Sequence, residues 1–203
     1  MTSPDVSWPQ YTERLVLRPV REEDVDGLLA FRNKPDVYKW LLKREVDPDE
    51  FRDLWMKTLT DPRDYSSVAE LDGVVICTAS LYVSDAMGQG EGEPMVGAQA
   101  DIGYILDPAY AGNGYATEIA AALLRICFED LGVHRVTAGC FADNLASRRV
   151  LEKVDMQLEQ YGVRDSWHAE LGWVDGYQYA MLAREWRALH DASPWAGAAH
   201  RAR

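Results

Sequence analysis

The sequence predicts an α+β fold in which about six to seven strands are flanked by helices. Segments with the apolar content of strands alternate with segments of helical spacing along most of the chain. An Asp72-Gly73 pair lies between two such strands and supplies the positive φ angles of a tight hairpin turn. An apolar strand at 100–106 runs through a glycine turn directly into an alanine-rich helix, which is expected to pack on the sheet.

The first half of the chain contains an edge strand, three helical segments and the hairpin. In order, these are a strand at 15–20, helices at 21–31, 36–42 and 47–59, and hairpin strands at 65–71 and 74–83. Asp47 followed by Pro48 is typical of a capped helix start. Trp40 and Trp55 are expected to be core residues, although lining of a substrate pocket is the alternative.

The second half continues the alternation. Its predicted elements are a strand at 100–106, a helix at 115–131, a strand at 135–141, a helix at 145–154 capped by Asn144, and strands at 156–161 and 178–184. The connection 84–99 is long and rich in Gly and Glu, so it is expected to be mobile and to frame a site. The insert 162–177 is predicted to be either a substrate lid or a solvated hairpin tip. Residues 187–203 lack periodicity and are predicted to be a poorly ordered tail.

Composition limits the classes of function. A chain of 203 residues with 47% hydrophobic content suits one domain with one core. A net charge of -12 argues against a nucleic-acid partner and is compatible with a cationic amine substrate. The cysteines Cys77, Cys127 and Cys140 are odd in number and lie in apolar sequence, which favours reduced thiols in the cytoplasm over disulfides or a metal site. No apolar run suggests a membrane partner, and nothing resembles an export signal.

The turn at 107–118 is suited to an anion, because the first N–H groups of a helix are unpaired and the helix dipole adds positive charge. A nucleotide P-loop is unlike this turn, since Tyr115 and Ala116 follow Gly114 where Lys and Ser or Thr would be needed. The dinucleotide fingerprint is also unlike it, because Thr117 stands where a third Gly or Ala belongs. A glycine-closed turn without a ligand is the remaining alternative.

The same turn resembles the pyrophosphate loop of the GNAT acetyltransferases, Arg/Gln-x-x-Gly-x-Gly/Ala, aligned here as Ala111-x-x-Gly114-x-Ala116. The chain departs from the family at Ala111, where many relatives carry a basic residue at or near the position. The segment 143–153 resembles the second half of the signature, Asn-x-x-Ser-x-x-x-Leu-x-Lys. The opening at 12–19 and the ending at 175–186 resemble the RimJ/RimL-type branch of ribosomal-protein N-terminal acetyltransferases.

This resemblance implies a GNAT domain over 11–186 with a central, mixed but mostly antiparallel twisted sheet. It implies acetyl-coenzyme A as co-substrate, no metal, and direct attack of an amine on the thioester. Backbone N–H groups of Gly112, Asn113, Gly114 and Ala116 are expected to bind the pyrophosphate. Backbone groups of Tyr104, Ile105 and Leu106, together with Asn144, are expected to bind pantetheine and the reacting carbonyl.

Two side chains are candidates for the chemistry. Asp101 lies where several relatives carry a glutamate base, with a solvated strand carboxylate as the alternative and Glu70 as second choice. Ser147 is the expected donor to the leaving thiolate, because Leu151 stands where other branches carry a tyrosine. A serine that bonds back to its own helix is the alternative.

The implied activity is N-acetylation of a protein N-terminus or of a small primary amine. A noncatalytic acyl-coenzyme A sensor, transfer of a larger acyl group and acetylation of an aminoglycoside are the alternatives. Exposed strands and tryptophans also suggest a homodimer.

Overall fold

The computed structural model describes residues 6–89, 92 and 94–191. One sheet of eight strands crosses the molecule in the order β1-β2-β3-β4-β5-β6-β8-β7. The strands are β1 Gln10–Tyr11, β2 Val16–Arg18, β3 Ser67–Leu71, β4 Val74–Ser84, β5 Gln99–Leu106, β6 Arg135–Phe141, β7 Gln157–His168 and β8 Gly172–Leu182. Neighbours are antiparallel except β5 and β6, which are parallel. The predicted α+β class with a mostly antiparallel sheet is confirmed.

Six α-helices accompany the sheet within the described residues: α1 Val25–Arg32, α2 Pro35–Tyr38, α3 Pro48–Thr58, α4 Tyr115–Arg125, α5 Leu145–Lys153 and α6 Ala183–Asp191. Short 3-10 turns occupy Glu22–Asp24 and Pro108–Tyr110, and a π-helical turn, Ile126–Asp130, extends α4. The sequence predicted α4 and this turn as one helix over 115–131. The φ of +67° at Gly132, the next residue, fits a helix stop.

Local signals explain several of these boundaries. Asp72 and Gly73 have φ angles of +50° and +80°, as the tight turn between β3 and β4 requires. The carboxylate of Asp47 accepts hydrogen bonds from the amides of Asp49 and Glu50 at 2.9 and 3.1 Å, which caps α3. These predicted features are confirmed.

The sheet separates two apolar clusters. On one face, α4 packs against β4 and β5 and buries Ile119 and Leu123 completely. On the other face, α1 and α3 bury Leu28, Phe51 and Trp55. Trp55 is therefore a core residue, as expected from its helical spacing. The cluster on the α4 face contains most of the buried apolar residues, so it is the larger of the two.

The sheet is split at its centre. Strand β5 pairs with β6 only through Gln99, Ala100 and Asp101. Beyond Asp101, β5 continues beside β4 to Leu106, while β6 continues beside β8 to Phe141. The two parallel strands thus diverge toward their carboxyl ends, and this gap positions the candidate site.

Several elements differ from the sequence prediction. Strand β1 was not anticipated, because a two-residue strand carries no periodicity. Most of the insert 162–177 is strand, since β7 and β8 form one long hairpin. The last predicted strand ends at Leu182 rather than 184. Helix α6 continues to Asp191, so the poorly ordered tail predicted from 187 onward is wrong for residues 187–191. Residues 192–203 of that predicted tail lie outside the described residues.

Candidate active site

The gap between β5 and β6 opens into a cleft of about 950 Å³. Its walls come from the segment after α2, strand β5, the glycine loop before α4, strand β6, helix α5 and the β7–β8 hairpin. A cleft of this size lies at the upper end of small-molecule sites. Both halves of the sequence signature, at 111–116 and 144–153, contribute to its walls.

Strand β5 presents alternate amides to the cleft. The amide of Asp107 donates to the carbonyl of Ile76 on β4 at 2.8 Å. Because antiparallel partners alternate between bonded and non-bonded pairs, Ile105 also directs its amide toward β4, opposite Thr78. Tyr104 and Leu106 then direct theirs toward the gap. Of the three predicted backbone contacts, this geometry suits Tyr104 and Leu106 and not Ile105.

The glycine loop has the conformation that an anion site needs. Gly112 and Gly114 have φ angles of +81° and +84°, and Gly114 is the N-cap of α4. Gly112, Gly114 and Ala116 line the cleft. The side chain of Asn113 braces the loop by donating from its amide to the carbonyls of Tyr110 and Ala111, each at 3.2 Å, and the predicted contact through its backbone N–H stays a prediction.

One wall of the cleft carries two hydroxyl groups in contact. Asn144 caps α5 by accepting a hydrogen bond from the amide of Ser147 at 3.2 Å. The Oγ of Ser147 lies 3.2 Å from the hydroxyl oxygen of Tyr104. Burial raises the pKa of Tyr104, so this phenol stays protonated and remains a hydrogen-bond donor. Cys140 lines the same wall and is half-buried.

Asp101 lies at the point where β5 and β6 separate. Its carboxylate accepts a hydrogen bond from Thr137 Oγ1 at 3.0 Å and lines the cleft. Burial among the cleft walls raises the pKa of Asp101, and the Thr137 hydrogen bond offsets this only in part. The carboxylate still contacts solvent within the concave cleft, so it is accessible to a substrate proton.

Asp101 and the hydroxyl pair occupy opposite faces of the sheet. Side chains alternate along a strand, and Ile102 and Tyr104 pack with the α4 cluster whereas Ile105 packs with the α1–α3 cluster. Asp101 therefore lies on the α1–α3 face. The second-choice base, Glu70, pairs with the buried guanidinium of Arg18 at 2.5 Å and has a structural partner instead.

The tip of the β7–β8 hairpin is fixed to the segment after α2. His168 is buried, and its Nδ1 accepts from the amides of Glu170 and Leu171, each at 3.2 Å. Its Nε2 therefore carries the proton and donates to the carbonyl of Lys39 at 2.8 Å. Of the two predictions for the insert, a lid or a solvated hairpin tip, the structure has a hairpin whose tip is anchored. Trp40, for which the sequence favoured the core over pocket lining, lines the cleft beside this anchor.

A carboxylate on the hairpin also lines the cleft. Asp165 lies in a bulge of β7, over Gly162 and Gly176. A Cβ on Gly162 would lie 1.7 Å from an oxygen of Asp165, so only glycine leaves room for this carboxylate. None of the described residues of the 84–99 connection lines the cleft, contrary to expectation.

Sequence reasoning missed two of these features. It assigned Tyr104 a backbone role only, although the alternation of β5 could have placed its ring on the α5 face. The position of Asp165 over two glycines was not predicted, because nothing in 162–177 marks a bulge. Trp40 follows the less favoured of its two predicted roles, because α2 stops at Tyr38, four residues earlier than predicted, and the following segment lines the cleft.

Within residues 6–89, 92 and 94–191, no helix is long and apolar enough to cross a membrane. The same residues contain no group of three His, Cys, Asp or Glu side chains arranged to hold a metal ion.

Comparisons with known proteins agree on a family. A family model described as "Acetyltransferase (GNAT) domain" matches residues 14–157. The uncharacterized N-acetyltransferase p20 of Bacillus licheniformis is 28% identical over 183 residues, which cover 87% of this chain and 97% of p20. The uncharacterized N-acetyltransferase YnaD of Bacillus subtilis is 36% identical over 86 residues, and that match spans 42% of this chain and half of YnaD.

Solved structures share the fold. An acetyltransferase of the GNAT family from Bacillus anthracis superposes with a TM-score of 0.72 at 26% identity, covering 86% of this chain and 98% of that one. RimJ from Mycobacterium smegmatis, solved in complex with CoA-disulfide, gives a TM-score of 0.72 at 23% identity, covering 88% and 90%. The RimJ likeness supports the fold alone.

Proposed function

Because the chain belongs to the GNAT acetyltransferase family and is thus an acyltransferase, we propose that it transfers the acetyl group of acetyl-coenzyme A to a primary amine. The amine attacks the thioester directly while both substrates are bound. The single observation that carries this proposal is the divergence of β5 from β6 beyond Asp101, which opens a gap beside the glycine loop.

The chain's residues fit the diphosphate and pantetheine of the co-substrate. The backbone amides at the positive end of α4 are proposed to bind the diphosphate, and they are those of Gly112, Asn113, Gly114 and Ala116. The amides of Tyr104 and Leu106 are proposed to bind pantetheine and the oxyanion that forms on the carbonyl. Loss of one preorganised oxyanion donor costs about 2.7 to 4 kcal/mol in other enzymes, so the geometry of β5 should dominate the rate.

Asp101 is proposed to take the proton of the attacking amine, directly or through water. The raised pKa of its carboxyl moves a general base toward neutral pH, where proton transfer from an ammonium is less unfavourable. The amine must be neutral to attack, and at pH 7 about one in ten α-amines is neutral, against about one in 2,500 lysines. A single solvent-exposed carboxylate therefore suits an α-amine better than a lysine.

Ser147 and Tyr104 are proposed to stabilise the departing thiolate. As the new C–N bond forms and the C–S bond breaks, the sulfur gains negative charge and needs a hydrogen-bond donor. The Ser147 hydroxyl is the donor that α5 offers to the sulfur, and its Oγ lies 3.2 Å from the phenol oxygen of Tyr104. The tyrosine that other branches carry on this helix is thus replaced by one from β5, while Leu151 is buried.

The acceptor is proposed to be a protein N-terminus, as in the RimJ/RimL-type branch, or a small amine. The open cleft with Asp101 and Asp165 on its walls supports a cationic acceptor. A noncatalytic acyl-coenzyme A sensor, transfer of a larger acyl group and acetylation of an aminoglycoside remain the competing functions. A sensor would bind coenzyme A without turnover, and a larger acyl preference would appear with succinyl-coenzyme A.

The decisive experiment incubates the pure protein with acetyl-coenzyme A and a panel of N-terminal peptides, polyamines, amino acids and aminoglycosides. Release of free thiol that depends on one amine class, with the acetylated product seen by mass spectrometry, supports the proposal. No thiol above the background of the Asp101→Asn/Ser147→Ala variant would refute it. A lysate treated with the enzyme identifies protein acceptors in the same way.

The protein is further proposed to act in the cytoplasm as a homodimer. Cys77 and Cys127 are buried free thiols, which suits a reducing compartment. Strand β7 is an edge strand with exposed apolar side chains, among them Val163 and Trp167. Sedimentation velocity over a range of concentrations tests the dimer, and cell fractionation tests the location.

A further inference from the structure

An arginine from outside the motif lies on the glycine loop. The turn between β1 and β2 brings Arg14 to the loop, where its Nη1 donates to the carbonyl of Asn113 at 3.0 Å. The guanidinium also stacks over the ring of Tyr115 at 4.5 Å from its centroid. A Cβ on Gly114 would lie 3.5 Å from its Nη2. Arg14 thus contacts the residues on either side of Gly114, the N-cap of α4.

The same arginine neutralises an acid on α4. Glu118 Oε2 accepts from Arg14 Nε at 2.8 Å and lies 2.7 Å from its Nη2. The other oxygen accepts from the Arg14 amide and from the Thr12 hydroxyl. Although burial opposes ionisation of Glu118, these hydrogen bonds lower its pKa, so the carboxylate is charged at neutral pH.

That carboxylate poses an electrostatic problem for the proposed cofactor site. An acid in the first turn stabilises the helix through its dipole. It also repels a diphosphate bound at the same helix end, by the same Coulomb interaction. The guanidinium of Arg14, with two nitrogens on Glu118 Oε2, offsets this repulsion. It also holds the Asn113 carbonyl, and so fixes the loop that precedes α4.

We propose that Arg14 is a positioning residue for coenzyme A, which replaces the basic residue that the loop lacks at Ala111. This inference rests on the proposed function, because it presupposes a diphosphate at the glycine loop. Gly112, Gly114 and Tyr115 line the cleft whereas Arg14 and Glu118 lie behind it. Arg14 therefore acts through Asn113 and Glu118, and its effect is confined to the affinity for coenzyme A.

The test compares Arg14→Gln, Arg14→Lys, Glu118→Gln and the double variant Arg14→Gln/Glu118→Gln with the wild type. Coenzyme A binding is measured by calorimetry, and KM for acetyl-coenzyme A and kcat are measured with a saturating acceptor. Arg63→Gln is the matched control, because it removes the same charge from an exposed pair with Asp85 on a part of the chain that does not line the cleft.

Arg14→Gln is expected to weaken coenzyme A binding about tenfold, from one lost hydrogen bond and one uncompensated charge. KM for acetyl-coenzyme A should rise by the same factor, with kcat unchanged. The coenzyme A affinity of Arg14→Lys should lie between those of the wild type and Arg14→Gln, since one ammonium cannot contact both Glu118 and the Asn113 carbonyl as the guanidinium does. In the double variant part of the affinity should return, because the repelling carboxylate is gone. Arg63→Gln should bind as the wild type does.

Several results would overturn the inference. One is an Arg14→Gln variant that binds coenzyme A within twofold of the wild type, even if its melting temperature falls, which would make Arg14 a structural staple only. Another is a double variant no better than Arg14→Gln. If the wild type itself does not bind coenzyme A, the proposed function fails first, and the two failures are thereby distinguished.

Discussion

Replacement of Gly114 by alanine tests whether the loop conformation determines cofactor affinity. Gly114 has φ +84° and ψ -1°, in the left-handed region. An L-residue there costs about 1–2 kcal/mol relative to glycine. The added Cβ would meet only Arg14 Nη2, at an ordinary contact distance of 3.5 Å. The cost is therefore conformational rather than steric.

This cost divides between two measurable quantities. If the loop keeps its conformation in the free protein, the free energy of unfolding falls by about 1–2 kcal/mol and the affinity stays the same. If the loop relaxes to a negative φ, its amides leave the cleft and the cost appears on binding. The dissociation constant for coenzyme A would then rise about fivefold to thirtyfold. The two changes should sum to the same total.

The assay combines urea unfolding with calorimetric titration of coenzyme A. Gly114→Asn should recover most of the loss, because asparagine tolerates the left-handed region. Gly27→Ala is the matched control, since Gly27 lies on the exposed side of α1 with nothing within 4 Å of the added Cβ. The control should gain about 0.8–1 kcal/mol in stability without a change in affinity. A Gly114→Ala variant with neither quantity altered by more than about 0.3 kcal/mol would refute the reasoning.

Three further predictions follow from the described contacts. Asp101→Asn should abolish the rise of the rate with pH, and an unchanged pH profile contradicts this. The same change should stabilise the fold at pH 7. A carboxyl whose folded pKa is raised contributes its full stability below the unfolded pKa and loses that stability as pH rises through the folded pKa. Ser147→Ala and Tyr104→Phe should each lower kcat, and a double-mutant cycle should show coupling, whereas strict additivity would separate their roles. Asp24→Asn should cost about 1.5–3 kcal/mol in urea unfolding, because the buried guanidinium of Arg18 loses one charged partner and keeps Glu70 and the Pro19 carbonyl; a loss below about 0.5 kcal/mol would argue against this.

Local chemistry explains which parts of the fold were predictable. The turn at Asp72-Gly73 and the caps of α3 and α5 depend on residues within a few positions of one another, so their sequence signals are sufficient. The split between β5 and β6 depends on which strands pair, and pairing is set by the packing of the whole sheet. The sequence could suggest this split only through the family resemblance.

The candidate site likewise combines features that local sequence predicts with features that depend on contacts between distant residues. The glycine loop was predicted because two glycines before an alanine-rich helix have a local conformational meaning. The contact of Arg14 with Glu118 joins residues 104 positions apart, and no short pattern marks it. The hydroxyl pair of Tyr104 and Ser147 joins β5 to α5 across 43 positions. The predicted backbone contact of Ile105 shows a limit of sequence reasoning, because the prediction placed Ile105 in the strand without considering to which side its amide points.

The parity of β5 has a consequence for the proposed reaction. Tyr104 and Ser147 lie on the α5 face of the sheet, while Asp101 lies on the α1–α3 face, and the gap where β5 and β6 separate connects the two faces. A carbonyl held in that gap can be approached by the amine from one side while the thiolate leaves on the other. Proton removal and thiolate stabilisation are then carried out by groups that do not compete. A residue that restored pairing beyond Asp101 would close this passage and occupy the amides of Tyr104 and Leu106, so activity and the binding of coenzyme A should both depend on the gap.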